Sequence, residues 1–127
     1  MSVTRTFTVT VQSTGSGNKY FIDGVQTPTL TLGEGGTYKF DQSDNSNNNH
    51  PLRFSTTDNG SHDGGSEYTS GVTTSGTPGS SGAFTQIVVA ADAPDILFYY
   101  CTNHSGMGGS GYIGDSDWGQ NTWGSNS

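Results

Sequence analysis

A period of two in the apolar residues narrows most what this chain can fold into. Val3, Phe7, Val9 and Val11 alternate with Thr6, Thr8 and Thr10, and only an extended strand sends successive side chains to opposite faces. The alternation returns at residues 29–32 (TLTL) and 37–40 (TYKF), and at 50–55 (HPLRFS) with Leu52 and Phe54 on one face. Residues 19–23 (KYFID), closed by Gly24, read as a further strand. The most strand-like segments are 83–90 (AFTQIVVA) and 95–100 (DILFYY), and 111–114 (GYIG) reads as a last short strand. No segment carries an apolar stripe of period 3.6, so helix content is expected to be near nil.

The connections are polar and rich in glycine. Residues 13–18 (STGSGN) read as a turn, GEGG at 33–36 as another, and 41–49 (DQSDNSNNN) as a loop without apolar content. From 56 to 82 the chain is nearly all Ser, Thr, Gly, Asp and Asn. A structureless loop of that length is uncommon in a compact domain, so a short strand is expected near 71–74. Seven or eight short strands between Gly-rich turns predict an all-β Greek-key sandwich or barrel. One such domain is expected over 1–114. Residues 115–127 form a separate tail in which WGQN and WGSN repeat, with Trp118 and Trp123 in register. The tail reads either as a flexible terminus or as the start of a tandem repeat.

Composition bears on whether the chain folds at all. Leu, Ile, Val and Phe supply only 21 of 127 residues, low enough for disorder to compete. A modest net charge of −7, an aromatic content of 11% and the ordered alternation oppose that reading. Four Lys+Arg against eleven Asp+Glu leave no basic stripe for phosphates, which excludes nucleic acid and anionic lipid as expected partners and favours a basic protein. The single Cys excludes an intramolecular disulfide. No run of 18 apolar residues is present to span a bilayer. The first residues, MSVTRTFTVTVQ, lack the apolar run of a signal peptide. The expectation is a chain kept in a cytoplasm, one whose leader was removed, or a module of a longer protein.

The chemistry is concentrated in Cys101-Thr-Asn-His104-Ser-Gly-Met107, directly after the strand at 95–100. A thiolate, an imidazole and a thioether thus lie within seven residues. A strand delivers the Cys at its end, and Gly106, Gly108 and Gly109 free the backbone to fold His and Met back toward it. One short loop cannot surround an ion, so a further ligand must come from elsewhere. His50, opening a separate strand after the polar loop, is placed to supply it. Two imidazoles, a thiolate and a weak, long thioether make the ligand field of blue-copper electron-transfer sites.

The pattern Tyr-Tyr-Cys-x2-His-x2-Met with an upstream His resembles the cupredoxin family, with ligand spacing similar to that of the amicyanins. The resemblance covers residues 3–114 and is strongest at 95–109 and 50–54. It implies that Cys101 is the thiolate ligand, His50 and His104 the imidazoles and Met107 the axial ligand of one copper ion. Zn²⁺ is the expected substitute, using the same His and Cys and ignoring Met. Many cupredoxins carry Asn after the upstream His, tying the two ligand loops together. Here Pro51 stands there, with Asn49 just before the His and Thr102 just after the Cys, a departure that bears on redox potential and rigidity. The phrases YFIDGVQTPTLTLGEGGTYKFDQS, HPLRFSTT and YYCTNHSGMGG also look like a module of marine bacteriophage and marine bacterial proteins, which implies a virion or surface-appendage context.

Other features read blandly. His62 is expected to be a loop residue rather than a ligand. Asp41, Ser43, Asn45 and Asn47 loosely resemble a Ca²⁺ loop but lack its Gly and terminal Glu. The N-x-S sequons at Asn59 and Asn103 are read as chance, the latter falling inside the ligand loop. No Ser–His–Asp context, HExxH or phosphate-cradling loop supports an enzyme. A copper with four protein ligands has no open position for substrate, so single-electron transfer is the leading expectation. The alternative is a structural or adhesion module, in contact with neighbouring virion or appendage subunits, in which the metal staples two loops.

Overall fold

In β1 (Arg5–Thr14) alternation becomes burial: Phe7 and Val9 are buried while Arg5, Thr6 and Thr8 are exposed. The structure is a computed structural model that describes residues 3–114, so the expected tail and its Trp118 and Trp123 lie outside the described residues. Following β1 come β2 (Gly17–Ile22), β3 (Val25–Gln26), β4 (Leu30–Gly33), β5 (Thr37–Asp41) and β6 (Leu52–Ser55). The remainder are β7 (Glu67–Tyr68), β8 (Val72–Ser75), β9 (Phe84–Val88), β10 (Ile96–Cys101) and β11 (Gly109–Gly114). Two single turns of 3₁₀ helix, Asn45–Asn47 and Gly60–Asp63, are the helical content among the described residues.

The strands form two mixed sheets, ordered β3-β2-β1-β5-β9-β8 and β4-β11-β10-β6-β7. The β1–β5 and β4–β11 pairs are parallel and the others antiparallel. The all-β sandwich expected from the sequence is therefore present, but with eleven described strands where seven or eight were expected. The two that no period could announce, β3 and β7, are two residues long. The expected hidden strand lies at Val72–Ser75. The STGSGN segment is mostly strand, because Thr14 pairs with Gly17 and only Gly15 and Ser16 remain as the hairpin loop.

The facing surfaces close over an aromatic core. Phe40 of β5 stacks on Phe7 at 4.8 Å between ring centroids and meets Phe54 of the opposite sheet edge-on at 5.5 Å. Tyr20 and Tyr99 approach across the same gap at 6.4 Å. Buried tyrosine hydroxyls need partners, and the three tyrosines of this core have them: Tyr99 donates to the Pro28 carbonyl, Tyr20 to that of His50, and Tyr38 accepts from the Gly33 amide. Few aliphatic residues suffice because large rings fill the space between the sheets.

One end of the sandwich gathers the chemistry. Cys101 closes β10 opposite Leu52, which opens β6. Tyr99 pairs with Gly109 at the start of β11, and the amide of Tyr20 in β2 donates to the carbonyl of Met107. The loops after β5 and β10 thus meet at the same rim.

Candidate metal centre

Cys101 is the last residue of β10, in the phase of Leu97 and Tyr99, so its side chain faces the interior and is fully buried. His50 lies two residues before β6, rather than opening the strand as expected, and is 8% exposed. His104, three residues beyond Cys101, is exposed. Their side chains converge. The Cys101 Sγ lies 3.6 Å from His50 Nδ1 and 3.8 Å from His104 Nδ1, and the three potential ligand atoms all fall within 4.8 Å of one another. The two imidazoles lie 4.6 Å apart at 48°.

These separations can be tested against metal geometry. Metal–sulfur and metal–nitrogen bonds of about 2.3 and 2.0–2.1 Å, at tetrahedral to trigonal angles, separate S and N by about 3.5–3.8 Å. Both measured distances fit that range. A thiol and two imidazoles at this spacing can hold a metal ion. Met107 is buried at the end of the same loop and belongs to the core cluster that contains Cys101, Leu52 and Tyr20. His62 is not among the converging residues. In the Asp41-to-Asn47 segment the Asn47 amide is buried and donates to the carbonyls of Val9 and Asp44.

The loop that presents His50 is held by buried polar side chains. Gln42 donates from Nε2 to the His50 carbonyl at 2.8 Å and to Asn47 Oδ1 at 3.0 Å, and its Oε1 accepts from the Leu52 amide. The Tyr20 hydroxyl donates to the same His50 carbonyl at 2.7 Å. The His50 amide in turn donates to the Asn47 carbonyl. Sequence reasoning missed Gln42 and Asn47 by treating 41–49 as a polar loop. A signal existed for Gln42: it continues the inward phase of Tyr38 and Phe40, and all three are buried.

Pro51 removes the Asn expected to tie the two ligand loops, yet the loops are tied by other bonds. Asn103 donates from its side chain to the Asn49 carbonyl at 3.0 Å, and the Thr102 amide to the Pro51 carbonyl at 3.3 Å. Asn103 therefore has a structural task, as does Asn59, whose amide bonds to Ser105 and Gly106. On the other side of the ligand loop the Lys19 ammonium donates to the Gly106 carbonyl at 2.6 Å.

The glycines of this loop divide their roles. Gly106 adopts φ +79°, the left-handed region that glycine enters without a Cβ penalty. Gly108 runs so close to β10 that a Cβ would collide with the Tyr99 carbonyl oxygen.

Electrostatics favour metal capture. Burial, reinforced by the neighbouring His104, holds the His50 imidazole below the usual histidine range. The neutral ring is the form that ligates a metal. Burial, with Cys101 nearby, pushes the Tyr20 phenol well above its ordinary range, so it remains a hydrogen-bond donor to His50 at any physiological pH.

No family model matches the chain, and no curated protein matches it in sequence. The assignment of a metal centre therefore stands on the convergence of His50, Cys101 and His104.

Proposed function

We propose that this chain is a cupredoxin-like protein that binds one copper ion and passes single electrons, without catalysing a reaction of its own. The observation that carries the reading is the placing of two imidazole Nδ1 atoms at 3.6 and 3.8 Å from one buried thiol. The donor set is soft at sulfur and intermediate at nitrogen, the mixture that suits copper. Met107, buried at the end of the same loop, would supply the weak thioether donor. Copper held there supplies a one-electron redox couple.

The residues of the chain supply the rest. Cys101 and His50 sit in a dry, packed setting that hinders solvent from reaching the site. Gln42 and Tyr20 hold the His50 main chain in place and would limit its rearrangement if a bound copper changed oxidation state. His104 is exposed and provides the edge through which an electron enters or leaves. The charge of −7 steers a basic partner toward the protein. Zinc would occupy the same imidazoles and thiolate but carry no electron.

The test is spectroelectrochemistry of the copper-loaded protein. The account expects reversible uptake and release of one electron per chain. A protein that retains zinc in preference to copper, or whose bound copper fails to cycle, would contradict it.

A further inference from the structure

The segment between β6 and β7 is almost featureless in composition, yet it is placed against the metal-binding loop. Its 3₁₀ turn, Gly60–Asp63, lies over the outer side of β10, where Tyr100 points away from the core. Tyr100 is only 2% exposed because this turn covers it. Gly60 approaches so closely that a Cβ would stand 2.6 Å from the Tyr100 ring. His62 meets the same ring edge-on, at 6.2 Å and 86°.

From this platform two side chains reach the ligand segment. His62 Nε2 lies 2.7 Å from the carbonyl oxygen of Cys101. A carbonyl only accepts, so the His62 ring donates from Nε2. Asn59 donates from Nδ2 to Ser105 Oγ at 2.7 Å and accepts at Oδ1 from the Gly106 amide at 2.9 Å. The bonds fall on both flanks of His104. Asn59 occupies the N-cap position of the turn, where an Asn side chain ordinarily satisfies the turn's own amides. Here it makes no capping bond, adopts φ +65°, and spends its amide on the ligand loop instead. A local rule broken in this way marks a residue with a task elsewhere.

We infer that the Asn59–His62 turn is an outer clamp on the metal loop, with Asn59 and His62 as positioning residues that fix where Cys101 and His104 present their ligand atoms. Metal–ligand bonds tolerate errors of only about 0.2 Å, and His104 stands on an exposed loop. Without the clamp its segment is anchored by Lys19, Asn103, the Thr102 amide and the Tyr20 amide on the Met107 carbonyl among the bonds described above. The inference rests on the metal-centre reading, and its effect on the visible spectrum rests on copper in particular.

The test uses three variants. Asn59→Gly keeps the left-handed backbone free of strain and deletes both amide bonds. His62→Phe keeps the ring against Tyr100 and deletes the donor, while His62→Gln restores a donor. Copper and zinc dissociation constants are measured by chelator competition, together with the visible spectrum of the Cu(II) form and the melting of the metal-free protein. The clamp predicts that Asn59→Gly and His62→Phe weaken metal binding roughly 10–100-fold, the range for lost outer partners of ligands. It also predicts a displaced Cu(II)–thiolate band, metal-free melting close to that of the parent, and recovery in His62→Gln. Unchanged affinity and spectrum in the first two variants, with the parent binding metal normally, would overturn the clamp alone. So would a loss of metal-free stability large enough to account for the weaker binding. A parent protein that binds neither metal would instead overturn the reading beneath it.

Discussion

At the scale of single residues, the buried polar groups matter as much as the candidate ligands. Gln42 satisfies three partners at once: the His50 carbonyl, the Leu52 amide and Asn47 Oδ1. Each buried group left without a partner costs about 1–3 kcal/mol. Gln42→Ala takes this partner from the Leu52 amide and from Asn47 Oδ1, while the His50 carbonyl keeps the Tyr20 hydroxyl. It is expected to lower the unfolding free energy by about 2–4 kcal/mol in urea titration and to weaken metal binding, because the His50 loop loses one of its two side-chain tethers. A variant as stable as the parent would show that water replaces the side chain without loss. The convergence of His50, Cys101 and His104 was legible in sequence because a thiol and an imidazole so close to a thioether rarely cluster by accident. Their supports were not. Gln42, Asn59 and His62 are ordinary polar residues whose roles depend on which loops meet in space, and a one-dimensional period reports only which face a side chain takes.

At the scale of elements, the loop between β10 and β11 separates two effects of glycine. Gly108→Ala drives a methyl group into the Tyr99 carbonyl and is expected to destabilise by about 3 kcal/mol, the upper end of the overpacking range. Gly106→Ala meets open space apart from the Lys19 ammonium at 3.9 Å, but holds φ at +79°. Its cost is the left-handed penalty, about 1–2 kcal/mol. Chemical denaturation of the two variants should rank them in that order.

The 3₁₀ turn after β5 gives a pH prediction. Asp44 accepts from the Ser46 hydroxyl and amide, which together hold its carboxyl below the ordinary carboxylate range. Ser46 Oγ in turn accepts from the Val11 amide, tying the turn to β1. A folded-state pKa below the unfolded one contributes stability above the ordinary carboxylate range that is lost as pH falls through the folded value. In the metal-free protein, the stability gap between parent and Asp44→Asn should therefore be present at neutral pH and close in acid. A gap that is constant with pH would mean that the carboxylate charge plays no part. The strands themselves were legible wherever alternation ran for four residues or more, as in β1, β5 and β6. The two-residue β3 and β7 were not, since two residues define no period, and their pairing is set by neighbours already in place.

At the scale of the whole molecule, two sheets with few aliphatic residues converge on one rim, where the loops carrying His50 and Cys101–Met107 meet. A metal bridging these loops would bind the folded chain more tightly than the unfolded one, whose Cys and His keep some affinity, and so would stabilise the fold by mass action. At free copper a hundred times the dissociation constant the gain is at most about 2.7 kcal/mol, and the denaturation midpoint should rise with copper concentration. A midpoint indifferent to copper would mean that the loops are not joined through the ion. Whether Cys101 and two histidines hold one copper can be read by titrating the metal-free protein with Cu(II) and recording its visible absorption. The account predicts an intense thiolate-to-copper band that saturates at one equivalent and is lost in Cys101→Ala. A titration that yields no such band, or a band that persists in Cys101→Ala, would contradict it.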